Sequence, residues 1–218
     1  ANGNITSYQY DALNRLVKVT DPFNKTIQYT YDGNGNRLTS KDKRGNITSY
    51  TFDNLNREKS ITDALGGVMV NTYDGNGNML SQKDQLNHVT TYTYDALNKL
   101  VSSTNALNET TSYAHDAAGN RLATTIPNGN VITNQYDDDN RLTSVTDALG
   151  PIVVFTHDNN GNIISENDGN NNFTTYEYDD LNRKTKITDA LGISMLYVFD
   201  ANGNVVSETD RNNHTKNY

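Results

Sequence analysis

An aspartate preceded by an aromatic residue or histidine returns every 21 residues, ten times, without an insertion or deletion, from Tyr10-Asp11 to Phe199-Asp200. A strict period of this length requires an array of one small supersecondary unit in which each copy contacts its neighbours. It argues against a globule with a single active site. Numbering each repeat from its key aspartate as position 0, the aromatic at −1 is usually matched at −3, as in Tyr29-Thr30-Tyr31 and Tyr92-Thr93-Tyr94; Asn71 and Asn134 are the exceptions. Residues two apart share a strand face, so Tyr-x-Tyr predicts an aromatic stripe on one side of a β-sheet. Thr, Val and Ile crowd the same segments and no apolar pattern has helical spacing, so the chain reads as all-β.

Two turns separate the strands. The first opens at the key Asp and carries Asn or Gly at +3, from Asn14 and Gly35 to Asn182 and Gly203. The second opens at +10, with Asp21, Asp42 and their equivalents, Asn105 and Ile126 being the exceptions. It closes with Asn or Gly at +13. Asp at the first corner with Gly or Asn three later is type I turn chemistry: the carboxylate bonds the turn backbone, and Gly and Asn tolerate positive φ. Pro22 and Pro127 fall where their fixed φ belongs. Each repeat is thus predicted to be a β-hairpin of two strands, about six residues each.

A 42-residue alternation runs through the array. Odd repeats read Asp11-Ala12-Leu13-Asn14-Arg15-Leu16; even repeats read Asp32-Gly33-Asn34-Gly35-Asn36-Arg37-Leu38, with one more residue before the leucine. The extra residue predicts a β-bulge in alternate repeats. A parallel solenoid is the structural rival. It would stack the key aspartates about 4.8 Å apart, where like charges destabilise; an antiparallel ribbon separates them by two strands and is favoured.

Composition narrows the function. Only 34% of residues are hydrophobic and there is no Trp, which suits a thin sheet with one apolar face better than a solid core. A net charge of −8 argues against nucleic-acid partners, since phosphate binding needs a basic surface. No run approaches the roughly 18 apolar residues of a membrane span. There is no Cys for disulfides or thiolate metal sites. Ala1-Asn2-Gly3-Asn4 does not resemble a secretory signal, and both ends fall inside a repeat, which reads as part of a longer array.

The runs Tyr31-Asp32-Gly33-Asn34-Gly35-Asn36-Arg37-Leu38 and Tyr10-Asp11-Ala12-Leu13-Asn14-Arg15-Leu16 resemble the signature of RHS repeats, also called YD repeats, and the resemblance covers essentially the whole chain. It implies a long antiparallel strip of hairpins that spirals into a hollow shell. In bacterial polymorphic toxins and toxin-complex cocoons such shells enclose a toxic C-terminal domain; in animal teneurins a similar barrel belongs to an adhesion ectodomain. The sequence carries no toxin domain, aspartyl-protease-like segment or plug of the kind full-length members have.

Several residue sets invite a chemical reading. His115 and His157 occupy the −1 slot and His88 and His214 share +14, which reads as substitution within a structural pattern rather than catalysis. The Asp-Gly-Asn-Gly-Asn runs at 32–36 and 74–78, and Asp158-Asn159-Asn160-Gly161-Asn162, superficially suggest calcium loops. An EF-type loop needs Gly at its sixth position and Glu at its twelfth, whereas Lys43 and Gln85 stand at the twelfth here, and turn formation alone explains the runs. Arg15, Arg57, Lys99, Arg141 and Arg183 at +4 of odd repeats are read either as a groove for an acidic glycan or partner, or as ion pairs with a neighbouring hairpin. Sequons at Asn4, Asn24, Asn46, Asn108, Asn172 and Asn213 arise automatically from a turn Asn before strand Thr.

The expectation is a single array over residues 1–218: an all-β spiralling ribbon of antiparallel hairpins forming a hollow shell or tube. It would be a non-enzymatic scaffold of a secreted or surface protein, enclosing cargo or building a fibre. No catalytic, cofactor or metal residue is expected. Its partners would be further repeats or like chains, an enclosed toxin cargo or a surface glycan, with no nucleic acid and no membrane span; a carbohydrate- or partner-binding adhesion module is the alternative. Tyr31, Tyr94 and Tyr178 are expected to be buried against aliphatic neighbours such as Leu38, Val101 and Leu122, with His115 and His157 as weaker rungs.

Overall fold

The computed structural model describes residues 5–218, so the reading of the first four residues and the Asn4 sequon lie outside the described residues. The chain divides into two compact units, Ala1–Thr110 and Thr111–Tyr218. In the first, strands from Ser7–Tyr10 (β1) to Leu100–Thr104 (β10) pair antiparallel, each with the next in sequence. In the second, Thr110–His115 (β11) to Thr215–Asn217 (β21) do the same. The described residues contain no helix, and the antiparallel ladder disposes of the solenoid.

Both turn families adopt the backbone the sequence asks for. Among the described residues the positive-φ positions are ten asparagines and ten glycines, all at +3 or +13. In the first turn Asn14 N–H donates to the Asp11 carbonyl at 3.0 Å and Asp11 N–H to the Arg15 carbonyl at 2.9 Å, a type I turn closed by a left-handed residue. Asp11 Oδ1 accepts the Leu13 and Arg15 N–H groups at 2.9 Å, so the side chain satisfies the inner turn. One second turn departs from this plan. Pro151, at +14, has no N–H to donate, and Asp147 pairs directly with Gly150 between Leu142–Asp147 (β14) and Gly150–His157 (β15).

The bulge is present, but not where alternation put it. In every repeat the register slips just before the first turn: Tyr10 faces Leu16 while Gln9 faces Lys18, and Tyr31 faces Arg37 while Thr30 faces Thr39. The residue at +6 is therefore the unpaired one in odd and even repeats alike. The 42-residue alternation resides in the side chain at +4.

The two sheet faces differ as predicted. Residues at −3 and −1 share one face and are half-buried, except for the exposed Tyr8 and Tyr10 and the buried Asn71. The other face carries hydroxyl pairs such as Thr51–Ser60, Thr72–Ser81 and Thr93–Ser102, each at 2.6 Å. Burial of Tyr31, Tyr94 and Tyr178 against Leu38, Val101 and Leu122 does not occur. The tyrosines are half-exposed, Leu38 and Leu122 are exposed, and no hydrophobic side chain among the described residues is fully buried. A sheet one layer thick has no second layer to close over its aromatic face.

Candidate functional site

Side-chain chemistry concentrates along the row of first turns, where alternate repeats use two different ties to the following repeat. In odd repeats the +4 arginine lies back on its own turn and forward on the next. Arg57 Nε meets Asp53 Oδ2 at 2.7 Å, its Nη1 donates to the Asp74 carbonyl at 2.8 Å, and its guanidinium stacks over the Tyr73 ring at 4.7 Å. Arg15 repeats all three contacts with Asp11, Asp32 and Tyr31, and Arg183 with Asp179, Asp200 and Phe199. Arg141 likewise meets Asp137 and the Asp158 carbonyl, and adds Asp139 at 2.9 Å. The ion-pair partner is therefore the turn's own aspartate, not a carboxylate on a neighbouring hairpin. What crosses to the neighbour is a bond to backbone.

In even repeats asparagine does the corresponding work. Asn36 Nδ2 donates to Asp32 Oδ2 at 2.8 Å and to Asn56 Oδ1, in the next turn, at 2.7 Å; Asn34 Nδ2 reaches the same Asn56 oxygen at 3.0 Å. Asn76 and Asn78 bind Asn98, and Asn160 and Asn162 bind Asn182, in the same way. Because a bulge re-aims the side chains beside it, the universal slip at −1 gives a physical reason for +4 to reach forward in both kinds of repeat.

The aromatic at −1 supplies a tie in the opposite direction. Tyr31, Tyr73, Tyr136 and Tyr178 donate their hydroxyls to the carbonyls of Leu16, Glu58, Arg121 and Ile163, each at +5 of the preceding repeat. Where asparagine replaces the −3 aromatic, its amide joins the same carbonyl: Asn71 on Glu58 at 3.3 Å and Asn134 on Arg121 at 2.8 Å. Sequence periodicity located these residues, but the direction of their bonds had no sequence signal.

Electrostatics follow from the turns. Asp11, Asp53, Asp137 and Asp179 are held below the ordinary carboxylate range, first by the backbone N–H of the +4 arginine and also by its guanidinium. Asp32, Asp74, Asp116, Asp158 and Asp200 are lowered first by the side-chain amide of the +4 asparagine. Tyr94, Tyr176 and Tyr178 are raised, chiefly by desolvation. The aspartates are therefore ionised and the tyrosines neutral, and these groups are occupied by the turns and strands rather than poised as acids or bases.

The histidines fall at two kinds of place. His88 and His214 are exposed and face Asp84 at 2.9 Å and Asp210 at 3.4 Å within their own second turns. His115 and His157 are half-buried in the aromatic row, and His115 Nδ1 lacks a hydrogen-bond partner. Among the described residues no group of three or more His, Asp or Glu side chains is placed to hold a metal ion. In the calcium-like runs the aspartate oxygens are taken by turn N–H groups and asparagine amides. The sequons at Asn24, Asn46, Asn108, Asn172 and Asn213 all lie exposed at second turns. The tips of those turns expose large apolar side chains, Leu65 and Leu149 at 97% and Leu191 at 84%.

Comparisons with known proteins agree with this architecture. Residues 2–133 match the family model described as teneurin YD-shell, and residues 136–172 and 158–194 match the RHS repeat model. No curated protein sequence matches. The crystal structure of TcdB2-TccC3-Cdc42 superposes with a TM-score of 0.61 at 19% identity, covering 94% of this chain and 14% of that one. The Photorhabdus luminescens Tc holotoxin pore gives 0.60 at 20% identity, with the same coverage. At such identity the likeness concerns the fold, and this chain spans a small part of the solved chains' length.

Proposed function

The chain belongs to the teneurin YD-shell family, and we propose that it serves as a non-enzymatic wall: one continuous array over residues 1–218 that, with further repeats or like chains, encloses a protein cargo or builds a tube. The observation that carries this reading is where the polar chemistry goes. Arginine, asparagine and tyrosine at the repeating positions bind the preceding or following repeat, so the side chains that would do chemistry are spent on alignment. The exposed leucines at the turn tips suit contact with other repeats of the same kind. The solved relatives are toxin assemblies, which supports a cargo and an extracellular or cell-surface setting.

The glycan-binding alternative loses its main support at the same place. A glycan platform needs free cations and hydroxyls beside the rings, and Arg15, Arg57 and the phenol groups of Tyr31 and Tyr73 are engaged within the array.

Denaturant melts of arrays shortened two repeats at a time test the wall. Stability should fall in steps, because each hairpin is marginal alone and is supported through its interfaces. A two-repeat fragment as stable as ten repeats would refute it. Electron microscopy then separates capsules of one size, the shell, from open-ended fibres, the tube.

A further inference from the structure

We propose that Asn128–Gly129 is a site of spontaneous deamidation, and that the lateral ties of the first-turn row protect the chemically identical Asn34–Gly35, Asn76–Gly77 and Asn160–Gly161 pairs from the same reaction. Asparagine before glycine is the most labile peptide context, because no side chain shields the following nitrogen. The glycine nitrogen attacks asparagine Cγ and loses its proton; the side-chain amide leaves as ammonia. Water then opens the five-membered succinimide at either carbonyl, giving aspartate or isoaspartate. Water is the one co-reactant, and no oxidant is needed.

The reaction requires the side chain to swing its Cγ onto the glycine nitrogen. Asn34, Asn76 and Asn160 are each held outward by an Nδ2 bond to the next turn, at 3.0, 3.1 and 3.0 Å to Asn56, Asn98 and Asn182. Asn128 has no such tie, and neither does Asn202 of the remaining described pair, Asn202–Gly203, which should share its lability. The turn of Asn128 opens with Ile126 in place of aspartate, so no carboxylate accepts the turn N–H groups, and Asn128 Oδ1 itself takes the Asn130 N–H at 3.0 Å. That bond leaves the leaving amide free and draws electron density from Cγ. All five asparagines are exposed, and the space above Gly35, Gly77 and Gly129 is empty to 4 Å, so crowding does not rank them. The backbone alone would rank them the other way: Gly129 N–H is held to the Ile126 carbonyl at 2.9 Å, whereas Gly35 sits at 3.3 Å from that of Asp32. The side-chain tie outweighs this difference.

Conversion to aspartate would supply a carboxylate to a second turn whose first corner has none, and leave the Asn130 bond in place. Conversion to isoaspartate would lengthen the backbone and break the turn.

Incubating the folded protein in mildly alkaline buffer and mapping its peptides by mass spectrometry tests the inference. Asn128 should convert about tenfold faster than Asn34 or Asn76, the rate effect of one ordinary hydrogen bond broken before ring closure. Asn56→Gly keeps the positive φ at that position but removes the acceptor; it should accelerate Asn34 and leave Asn76 unchanged. Asn98→Gly should do the reverse. Equal rates at Asn34 and Asn128 in the unaltered protein, or an Asn34 rate indifferent to Asn56→Gly, would overturn it. Circular dichroism of each variant establishes that the array is still folded when the rates are read.

Discussion

The two edges of the ribbon are made from nearly the same turn and behave differently. Both rows use a left-handed Asn or Gly three residues after the corner, and both use the corner side chain to accept turn N–H groups. Along the first-turn row, arginine and asparagine at +4 then reach the following repeat. At the second turns the equivalent side chains stay at home: Asn46 binds Asp42, Asn172 binds Asp168 and His88 faces Asp84. Lateral ion pairs there join Lys43 to Asp21 at 2.6 Å and Arg211 to Asp189 at 3.8 Å. One edge aligns the repeats, while the other carries the sequons and the more exposed leucines, Leu65 and Leu149 at 97% against 67% for Leu13 and Leu181 at first turns. The bulge beside every first turn is the feature that separates them.

Acid should erase the difference, with the largest effect of any treatment. The key aspartates have folded pKa values below their ordinary value of about 3.9, so the stability they contribute is complete above that value. It is lost as pH falls through the lower folded values, because protonation then favours the unfolded chain. Thermal melts followed by circular dichroism should be flat from neutral pH to about pH 5 and collapse below about pH 4. A midpoint unchanged at about pH 3 would mean that the carboxylates do not hold the turns.

Removing a single tie distinguishes the edges directly. Arg57→Ala deletes the bond to the Asp74 carbonyl and the stack on Tyr73, with its side chain 23% exposed. We expect a loss of about 1–2 kcal/mol, the range for a hydrogen bond from a charged donor after allowance for solvent. Lys43→Ala, at the second turns and with a side chain 48% exposed, should leave the urea midpoint unchanged. Equal losses at the two positions would abolish the distinction between aligning and presenting edges.

Tyr73→Phe should cost less, about 0.5–1.5 kcal/mol, since the ring stays and only the bond to the Glu58 carbonyl is lost. Denaturant titration of this variant beside Tyr50→Phe, at −3, measures how much of the aromatic row's contribution is backward bonding rather than packing.

The strand pattern, the turns and the polarity of the two faces were legible because each depends on residues adjacent in sequence. The left-handed positions could be read directly from Asn and Gly at +3 and +13. The bulge was half-legible: the extra residue in Asp32–Leu38 announced one, but the slip lies at −1 in all repeats, where the partner varies from Leu16 to Arg37 to Glu58 without any compositional mark. Arginine at +4 was visible as a period, yet its partner was misjudged, because a fully extended strand does not bring +4 back onto position 0 and a bulged turn does. The aromatic core was over-read for a different reason. A stripe of tyrosines fixes which face is apolar, but whether anything covers that face is decided by a second layer that this sequence does not encode.

The smallest predicted effect concerns one of the four places, Phe52, His115, His157 and Phe199, where the −1 side chain has no hydroxyl for the backward bond. His157 occupies the −1 slot, and the equivalent tyrosines bind the carbonyl at +5 of the preceding repeat, which here is Leu142. Imidazole is shorter than phenol and carries no hydroxyl. His157→Tyr should restore the bond and keep the half-buried ring, a gain of about 0.5–1 kcal/mol for one net hydrogen bond. His157→Phe supplies the ring without the hydroxyl, so the difference between the two variants isolates the bond from the packing. If tyrosine and phenylalanine stabilise equally, the backward tie contributes nothing and the row is held by its arginines and asparagines alone. If both destabilise, the slot tolerates histidine for a reason other than ring volume.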